Sequence, residues 1–139
     1  MLDAAGDAFA RNGFHRASMD AIAAAAGISK PMLYTYFGSK EGLYAAYLER
    51  SGATLVATLR DAAPPGAPPR ERLASGVLAF LTYVEEHRAG WSVLYNEAVS
   101  QAGAAAAGVA ALRTRLADMI ARSLAADDAD DAAPRSVAA

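Results

Sequence analysis

The sequence predicts an all-α protein, and three features of its 139 residues support this fold class. Alanine, the strongest helix former, is abundant along the whole chain. Apolar side chains recur at intervals of three and four residues, and the strict alternation typical of strands is absent. Glycine and proline interrupt this pattern at a few places, which divides the chain into separate helices. The balance of 54% hydrophobic and 20% charged residues is that of a globular protein.

Two short helices are predicted at the start of the chain. The first has an apolar face that includes Phe9, and it should stop near Asn12-Gly13, which is a typical C-terminal signal of a helix. Ser18 is the predicted cap of a second helix, Met19 to Ala26, because its side-chain oxygen can accept a hydrogen bond from a free backbone N–H group. The helix dipole should favour the acidic Asp20 in the first turn of this second helix.

A third short helix and a long fourth helix follow. Ser29 is the predicted cap of the third, and Pro31 fits its first turn because the N–H that proline lacks has no intrahelical partner there. Gly38 should end this helix, and Ser39 should cap the fourth, which is predicted from Lys40 to about Ala62. A helix of that length measures roughly 34 Å, which is more than a three-helix unit needs.

Beyond the fourth helix the sequence predicts a linker and three more helices. The segment PPGAPP, Pro64 to Pro69, cannot continue a helix. Helices are predicted at Arg70 to His87, at Trp91 to about Gln101 and from about Ala104 to Leu124. The acidic stretch that begins at Ala126 is predicted to be a loop or a frayed end. The fifth helix should bury an apolar face made of Leu73, Val77, Phe80, Leu81 and Val84.

The second and third helices have the features of a helix-turn-helix unit. Gly27 permits the positive φ angle of a tight turn, and Ile22 and Leu33 supply apolar contacts between the two helices. When Leu33 points inward on a helical wheel, Pro31 and Thr35 point directly away from the core. The outward face is suited to base edges in the major groove of DNA. The predicted base-facing residues are Lys30, Pro31, Met32, Tyr34 and Thr35.

Residues around this face are candidates for contacts with DNA phosphates, which fix the register of a helix in the groove. They carry cations or hydroxyl groups, or they lie at the starts of helices, where backbone N–H groups are free. The predicted phosphate-contacting residues are Arg16, Ser18, Ser29, Tyr36 and Lys40. Two alternatives stay open. Tyr34 and Tyr36 can also be core aromatics, and Arg16 and Lys40 can also be ordinary surface cations.

For the prediction of DNA binding, the distribution of charge along the chain matters more than the net charge. A formal net charge of −2 argues weakly against a nucleic-acid binder. Between Ala8 and Lys40, however, four basic residues accompany a single acidic residue, Asp20, which gives a local charge of +3. Four of the 15 acidic residues of the chain cluster near the C-terminus, at Asp127, Asp128, Asp130 and Asp131. The local excess is compatible with DNA binding, and an ordinary solvated surface is the alternative.

The segment FARNGFHRASMDAIAAAAGISKPMLYTYFGSKEGLYAAYLE closely resembles the N-terminal domain of TetR-type (tetracycline-repressor-like) transcriptional regulators. The resemblance covers Leu2 to about Glu49 and includes Gly27-Ile28-Ser29, Tyr36-Phe37 and Ser39-Lys40-Glu41. It implies a homodimer that reads a palindromic operator in double-stranded DNA, usually as a repressor that a small ligand releases. It also implies two regions, a DNA-binding domain at 1–48 and a helical effector-binding and dimerisation region at 49–139.

Beyond Pro64 the resemblance is architectural only. The chain begins inside the first helix of the family pattern and stops near Ala139, where such proteins normally add two long helices that form the four-helix bundle of the dimer. We therefore expect the sequence to be incomplete at both ends. The helices after the linker predict a pocket for an apolar or amphipathic effector, and plain packing of a helical bundle is the alternative. The predicted pocket residues are Phe80, Tyr83, Trp91, Leu94, Tyr95, Asn96 and Met119.

Other function classes have little support in the sequence. The chain has no cysteine, which excludes disulfides and thiolate metal sites, and its two histidines, His15 and His87, lie far apart. Known catalytic and phosphate-binding motifs are absent, so we expect no enzyme activity, cofactor or metal. No apolar segment is long enough to cross a bilayer, which favours a cytoplasmic protein without membrane contacts. The alternative to DNA binding is a shortened regulator that acts only as a protein-interaction module.

Overall fold

The structure of the chain is a computed structural model that describes residues 1–62, 66–100 and 106–131. These residues form helices and contain no strand, which confirms the predicted all-α class for the described part of the chain. The helices are α1 (Leu2–Arg16), α2 (Met19–Ala25), α3 (Lys30–Phe37), α4 (Lys40–Asp61), α5 (Pro69–Glu86), α6 (Arg88–Ser100) and α7 (Ala106–Asp131).

The predicted caps of α2, α3 and α4 and the turns at Gly27 and Gly38 are confirmed. The side-chain oxygens of Ser18, Ser29 and Ser39 each accept a hydrogen bond from the backbone N–H group three residues further on, at 3.0–3.4 Å. Each bond satisfies one of the N–H groups that the start of a helix leaves without an intrahelical partner. Gly27 and Gly38 have φ angles of 68° and 72°, a left-handed conformation that glycine adopts without strain. These local features fix both ends of α3.

The first helix continues past its predicted end. Gly13 interrupts it with a non-helical backbone, at φ 70° and ψ 166°, and a further turn then leads to Arg16. The interruption lies where the Asn12-Gly13 signal predicts it, but the chain resumes helical geometry immediately afterwards. As a result Phe14 lies on the turn beyond the break, where its ring centroid is 4.9 Å from that of Tyr44 on α4.

The core of the N-terminal unit is apolar and aromatic. Ile22 of α2 and Leu33 of α3 are fully buried, as the helix-turn-helix pattern predicts. Phe9 of α1 meets Tyr44 of α4 edge-to-face, with ring centroids 4.8 Å apart, which is a favoured geometry for an aromatic pair. The small Ala23 is also buried, and it permits the close crossing of neighbouring helices. This core holds α3 against α2 and α4 and leaves its opposite face in solvent.

The fourth helix connects the N-terminal unit with the rest of the chain. Its 22 residues span about 33 Å. Near its start it packs against α1 and α3, and further along it packs against α5, α6 and α7. Its buried stripe consists of Leu43, Tyr44, Tyr47, Leu48, Ser51, Gly52 and Leu55. One continuous helix therefore contacts both units.

Three boundaries in the second half differ from the prediction. Pro69 forms the first turn of α5 instead of ending the linker, because a proline is tolerated at that position of a helix. Helix α6 begins at Arg88, three residues earlier than predicted. Helix α7 continues to Asp131, so the prediction of a loop from Ala126 is wrong as far as that residue, since alanines maintain helix propensity there. Residues 63–65, 101–105 and 132–139 lie outside the described part.

The predicted inward face of α5 is wrong in part. Leu73, Val77 and Leu81 are 42%, 53% and 58% exposed, whereas Tyr83 is only 2% exposed. The Tyr83 hydroxyl donates a hydrogen bond of 3.0 Å to the backbone carbonyl of Ser51 on α4. Apolar residues cover more than one face of this helix, so the periodicity does not decide which face meets the core. The contact between α5 and α4 decides it.

A close contact between α1 and α4 leads to a prediction about stability. A Cβ atom added at Gly6 would overlap the ring of Tyr47, which is 5% exposed and has little room to move. We therefore expect Gly6→Ala to lower the free energy of unfolding by about 1–3 kcal/mol, as overpacking of a core does. Urea denaturation followed by circular dichroism measures this change.

The matched control is Gly76→Ala on α5, where an added Cβ meets no atom within 4 Å. Relief of the helix penalty of glycine should make this second variant more stable by roughly 0.5–1 kcal/mol. Equal changes in both variants would show that the Tyr47 ring does not restrict the Gly6 position.

Within the described residues, no helix combines the length and the apolar character that crossing a bilayer requires.

Candidate nucleic-acid interface and effector cavity

Helix α3 presents a mixed polar and aromatic face to solvent. All five residues predicted to face DNA bases are exposed, and Leu33 between them is fully buried. Met32 and Tyr34 are 46% and 40% exposed. The exposed residues are Lys30, Pro31, Met32, Tyr34 and Thr35. This exposure is what base contacts in a major groove require, and the contacts themselves stay a prediction.

The tyrosines of this helix lie at the surface. Tyr36 is 64% exposed, although a helical wheel places it only about 60° from the buried direction. Tyr34 is also exposed, so the alternative that these two residues are core aromatics is wrong. Phe37, the last residue of α3, is half-buried and packs against the core in their place. Both tyrosine hydroxyls are thus accessible to a partner molecule.

The residues predicted to contact phosphates surround this face, and most already have a partner within the chain. Ser18 and Ser29 accept the capping hydrogen bonds of α2 and α3. Arg16 is exposed, and its Nε donates a hydrogen bond of 3.3 Å to the Asn12 carbonyl. The capping bonds leave the serines exposed at the starts of α2 and α3, so a phosphate role for them stays a prediction.

Lys40 links the end of α1 to the start of α4. Its Nζ donates a hydrogen bond of 2.9 Å to the His15 carbonyl and lies 5.0 Å from the centroid of the Phe14 ring. A cation over an aromatic face adds a modest attraction. The side chain is therefore half-buried and positioned by α1, and it is not the freely solvated cation that the alternative describes.

Lys30 has a partner that the sequence analysis did not identify. Its Nζ lies 2.9 Å from Oδ2 of Asp20, ten residues earlier in the chain. The hydrogen bond from the ammonium to this carboxylate raises the pKa of Lys30 above its ordinary value. The sequence analysis gave Asp20 only a role in the first turn of α2. The sequence signal for this pair was that Asp20, in the first turn of α2, and Lys30, at the start of α3, carry opposite charges.

A second site lies between α4, α5 and α7. It is an open cavity of about 390 Å³ with a largely apolar lining and two arginines. Of the seven residues predicted for an effector pocket, Phe80 and Met119 line this cavity. The lining residues are Leu59, Arg60, Arg72, Leu73, Gly76, Val77, Phe80, Leu116, Met119 and Ile120. Sequence analysis placed Leu73 and Val77 on the inward face of α5 but did not assign them to a pocket.

The other five predicted pocket residues lie outside this lining. Tyr83 is buried and donates a hydrogen bond to the Ser51 carbonyl of α4. Leu94 is buried in the core. Trp91 packs edge-to-face on Phe80 with ring centroids 5.1 Å apart, which supports one wall of the cavity from behind. Tyr95, 56% exposed, and Asn96 lie on the surface of α6. Their assignment to an effector site stays a prediction.

Comparison with protein families matches both halves of the chain. The model for bacterial regulatory proteins of the tetR family matches residues 1–47, which include α1, α2 and α3. The model for the tetracyclin repressor-like C-terminal domain matches residues 69–139, half of the chain. The chain belongs to the TetR family. The resemblance found in the sequence is thereby confirmed, and it extends beyond the linker.

Individual TetR-family relatives agree with this assignment. The HTH-type transcriptional activator FasR of Mycolicibacterium smegmatis is 39% identical over 107 residues, which are 76% of this chain and 49% of FasR. The chain thus spans about half the length of this curated relative. A TetR-like transcriptional regulator from Rhodococcus sp. RHA1 is 47% identical, with a TM-score of 0.80 over 94% of this chain and 70% of that chain. The ketosteroid transcriptional regulator KstR2 of Mycobacterium tuberculosis is 28% identical, with a TM-score of 0.73 over 88% of this chain and 63% of KstR2.

Proposed function

We propose that this TetR-family chain is a DNA-binding transcriptional regulator that reads a palindromic operator with α3. The observation that carries the proposal is the exposed face of α3, held outward by the buried Leu33 within the family-matched region. A homodimer would place two such helices in successive major grooves about 34 Å apart. The proposed division assigns residues 1–48 to DNA binding and 49–139 to effector binding and dimerisation. Action on genomic DNA makes the cytoplasm the proposed location.

The side chains on this face suit base recognition. The Lys30 ammonium can donate to guanine O6 and N7. The Thr35 hydroxyl donates its proton to the Pro31 carbonyl at 2.9 Å, so it can accept a hydrogen bond from the amino group of adenine or cytosine. Pro31 and Met32 offer apolar surface for a thymine methyl group. Phosphate contacts are proposed for Tyr36 and Lys40, which flank the face on either side of Gly38, and for Arg16, Ser18 and Ser29.

We propose further that a small effector binds the cavity between α4, α5 and α7. The lining is mostly apolar, while Arg60 and Arg72 add two cations, so an apolar molecule with an anionic group fits it best. The similarity to KstR2, which is described as a ketosteroid regulator, supports a predominantly apolar effector. An effector that binds more tightly to the conformation with one spacing of the recognition helices shifts the equilibrium toward that conformation.

Helix α4 is the proposed path between the two sites. Leu59 and Arg60 line the cavity near its C-terminal end, and its N-terminal end packs against α3. The two ends are separated by about 29 Å of continuous helix. A displacement of α4 at the cavity therefore moves the unit that carries α3. We propose that the DNA-bound protein represses transcription and that effector binding releases it from the operator. FasR, by contrast, is named an activator, so a promoter-reporter assay with and without effector has to decide the sign.

Selection from a random pool of DNA duplexes tests the proposed function. The purified protein should enrich a palindromic sequence, and its affinity should fall linearly with salt on a log–log plot, with a slope near −0.9 per phosphate neutralised. The selection is repeated at two salt concentrations. Absence of an enriched sequence, or a response to salt that is much shallower, would rule out operator recognition by this chain.

The protein-interaction module is the second candidate. Four apolar side chains of α5 are exposed, and Leu78 is the most exposed of them at 67%. The others are Leu73, Val77 and Leu81. Exposed apolar clusters of this kind are typical of surfaces that bind other proteins. The duplex selection separates this candidate from DNA binding, because a module that binds only proteins neutralises no phosphates and enriches no duplex.

Filling the cavity should abolish effector binding without affecting DNA binding. Gly76 lines the cavity, and a Cβ added there meets no atom within 4 Å, so Gly76→Phe can place its ring in the free volume. The probe is 1-anilinonaphthalene-8-sulfonate, an apolar dye with one anionic group. We expect the variant to bind the dye about tenfold more weakly or worse, which corresponds to about 1.4 kcal/mol. Gly76→Ala is the control and should bind like the wild type. Dye binding that is unchanged in Gly76→Phe would exclude this cavity.

A further inference from the structure

The pair formed by Asp20 and Lys30 lies at the junction of the two helices of the helix-turn-helix unit. Asp20 belongs to the first turn of α2, and Lys30 is the first residue of α3. Their side chains are 71% and 45% exposed, and the Nζ–Oδ2 distance is 2.9 Å. Asp20 is the only acidic residue between Ala8 and Lys40. A carboxylate in this position is unexpected on a surface that has to approach phosphates, because like charges repel.

The hydrogen bonds of Lys30 can be counted. An ammonium group has three N–H donors and no acceptor. One donor is used by Asp20, which leaves two. Guanine presents two acceptors, O6 and N7, side by side in the major groove, whereas a single acceptor is offered by adenine N7 or thymine O4. A lysine held by one carboxylate therefore matches a guanine edge.

We propose that Asp20 is a positioning residue that holds Lys30 toward guanine and keeps it from binding phosphates at random. This inference rests on the proposed DNA-binding function. Without Asp20, the long lysine side chain can reach any nearby phosphate, and its contact then carries no sequence information. With Asp20 in place, the carboxylate repels phosphates and orients the ammonium. The N-terminus of α3 is also an unfavourable place for a cation, and the carboxylate offsets that cost.

The main variant is Asp20→Asn, which removes the charge and keeps the shape. The probes are the duplex that the wild type enriches from a random pool, the same duplex with each guanine replaced in turn, and a scrambled duplex. We expect the variant to bind the scrambled duplex several-fold more tightly and with a salt slope steeper by about 0.9 for each copy bound. Its preference for guanine at one position of each half-site should fall roughly tenfold.

Three further variants separate positioning from general charge effects and from folding. Asp61→Asn removes the same charge from the far end of α4, beyond the roughly 8 Å over which exposed charges interact at physiological salt, and should leave the guanine preference unchanged. Asp20→Ser retains a side chain that suits the first turn of a helix and should reproduce the effect of Asp20→Asn. In a Lys30→Ala background, Asp20→Asn should have no further effect on base preference.

The outcomes are distinguishable. A preference for guanine that survives in both Asp20 variants, or a change that persists without Lys30, overturns the inference and leaves the proposed function intact. An equal gain in affinity for the enriched and the scrambled duplex, with base preference unchanged, would show a general charge effect. That result would also overturn the inference. A wild type that enriches no duplex overturns the proposed function, and the inference with it.

Discussion

Replacing Leu33 with alanine is expected to lower the free energy of unfolding by about 2–5 kcal/mol, the usual range for a fully buried leucine. Leu33 is 0% exposed and shares one core cluster with Phe9, Ile22 and Leu43, which come from the three helices around α3. It is the only fully buried side chain of α3, so no neighbour on that helix can compensate for the lost contacts. Duplex binding should be lost together with the fold of α3.

Met32→Ala is the matched control for this variant. Met32 is the preceding residue on the same helix but is 46% exposed, so its truncation should change the free energy of unfolding by less than about 0.5 kcal/mol. Urea denaturation of both variants provides the comparison. Equal losses in the two variants would show that the core does not hold α3 in the described orientation, and the proposed interface would then lack its support.

Replacing Lys30 with alanine is the second prediction with a large expected effect, here on operator choice. A good base contact of a basic side chain is worth about 1–3 kcal/mol of discrimination, so the two copies in a dimer together contribute roughly 2–6 kcal/mol. The variant should therefore lose its preference for the enriched duplex while its affinity for scrambled DNA changes much less. Competition binding between the two duplexes measures the ratio directly.

Lys40→Ala tests the distinction between base and phosphate contacts. Lys40 begins α4, and its ammonium donates a hydrogen bond to the His15 carbonyl and lies over the Phe14 ring, so α1 positions it. Its loss should weaken binding to all duplexes alike and reduce the salt slope by about 0.9 for each copy. A loss confined to the enriched duplex would show that Lys40, and not Lys30, takes part in base recognition.

The sequence predicted the features that depend on neighbouring residues. The caps at Ser18, Ser29 and Ser39 and the turns at Gly27 and Gly38 follow from hydrogen bonds and φ angles within four residues. The outward direction of the α3 face follows in the same way, since a helical wheel is determined once Leu33 points inward. For this reason all five predicted base-facing residues are exposed in the structure.

The position of α5 was not predictable in this way. Its apolar residues occupy several directions around the helix, and the face with Tyr83 is buried because the hydroxyl reaches the Ser51 carbonyl of α4. The predicted face with Leu73 and Leu81 is exposed instead. Two of the seven residues predicted for an effector pocket therefore line the cavity between α4, α5 and α7. Phe80 and Met119 line it, whereas Tyr83 and Leu94 fill the core.

The sequence by itself determined the helical class, the family, the ends of α2, α3 and α4, and the side chains that α3 presents to solvent. The tertiary structure alone decided which face of α5 is buried, which residues share the cavity, and that Asp20 holds Lys30. The physical reason is the range of the interactions. Caps and turns depend on atoms a few bonds apart, whereas cavities and ion pairs between helices depend on how separate helices pack against each other.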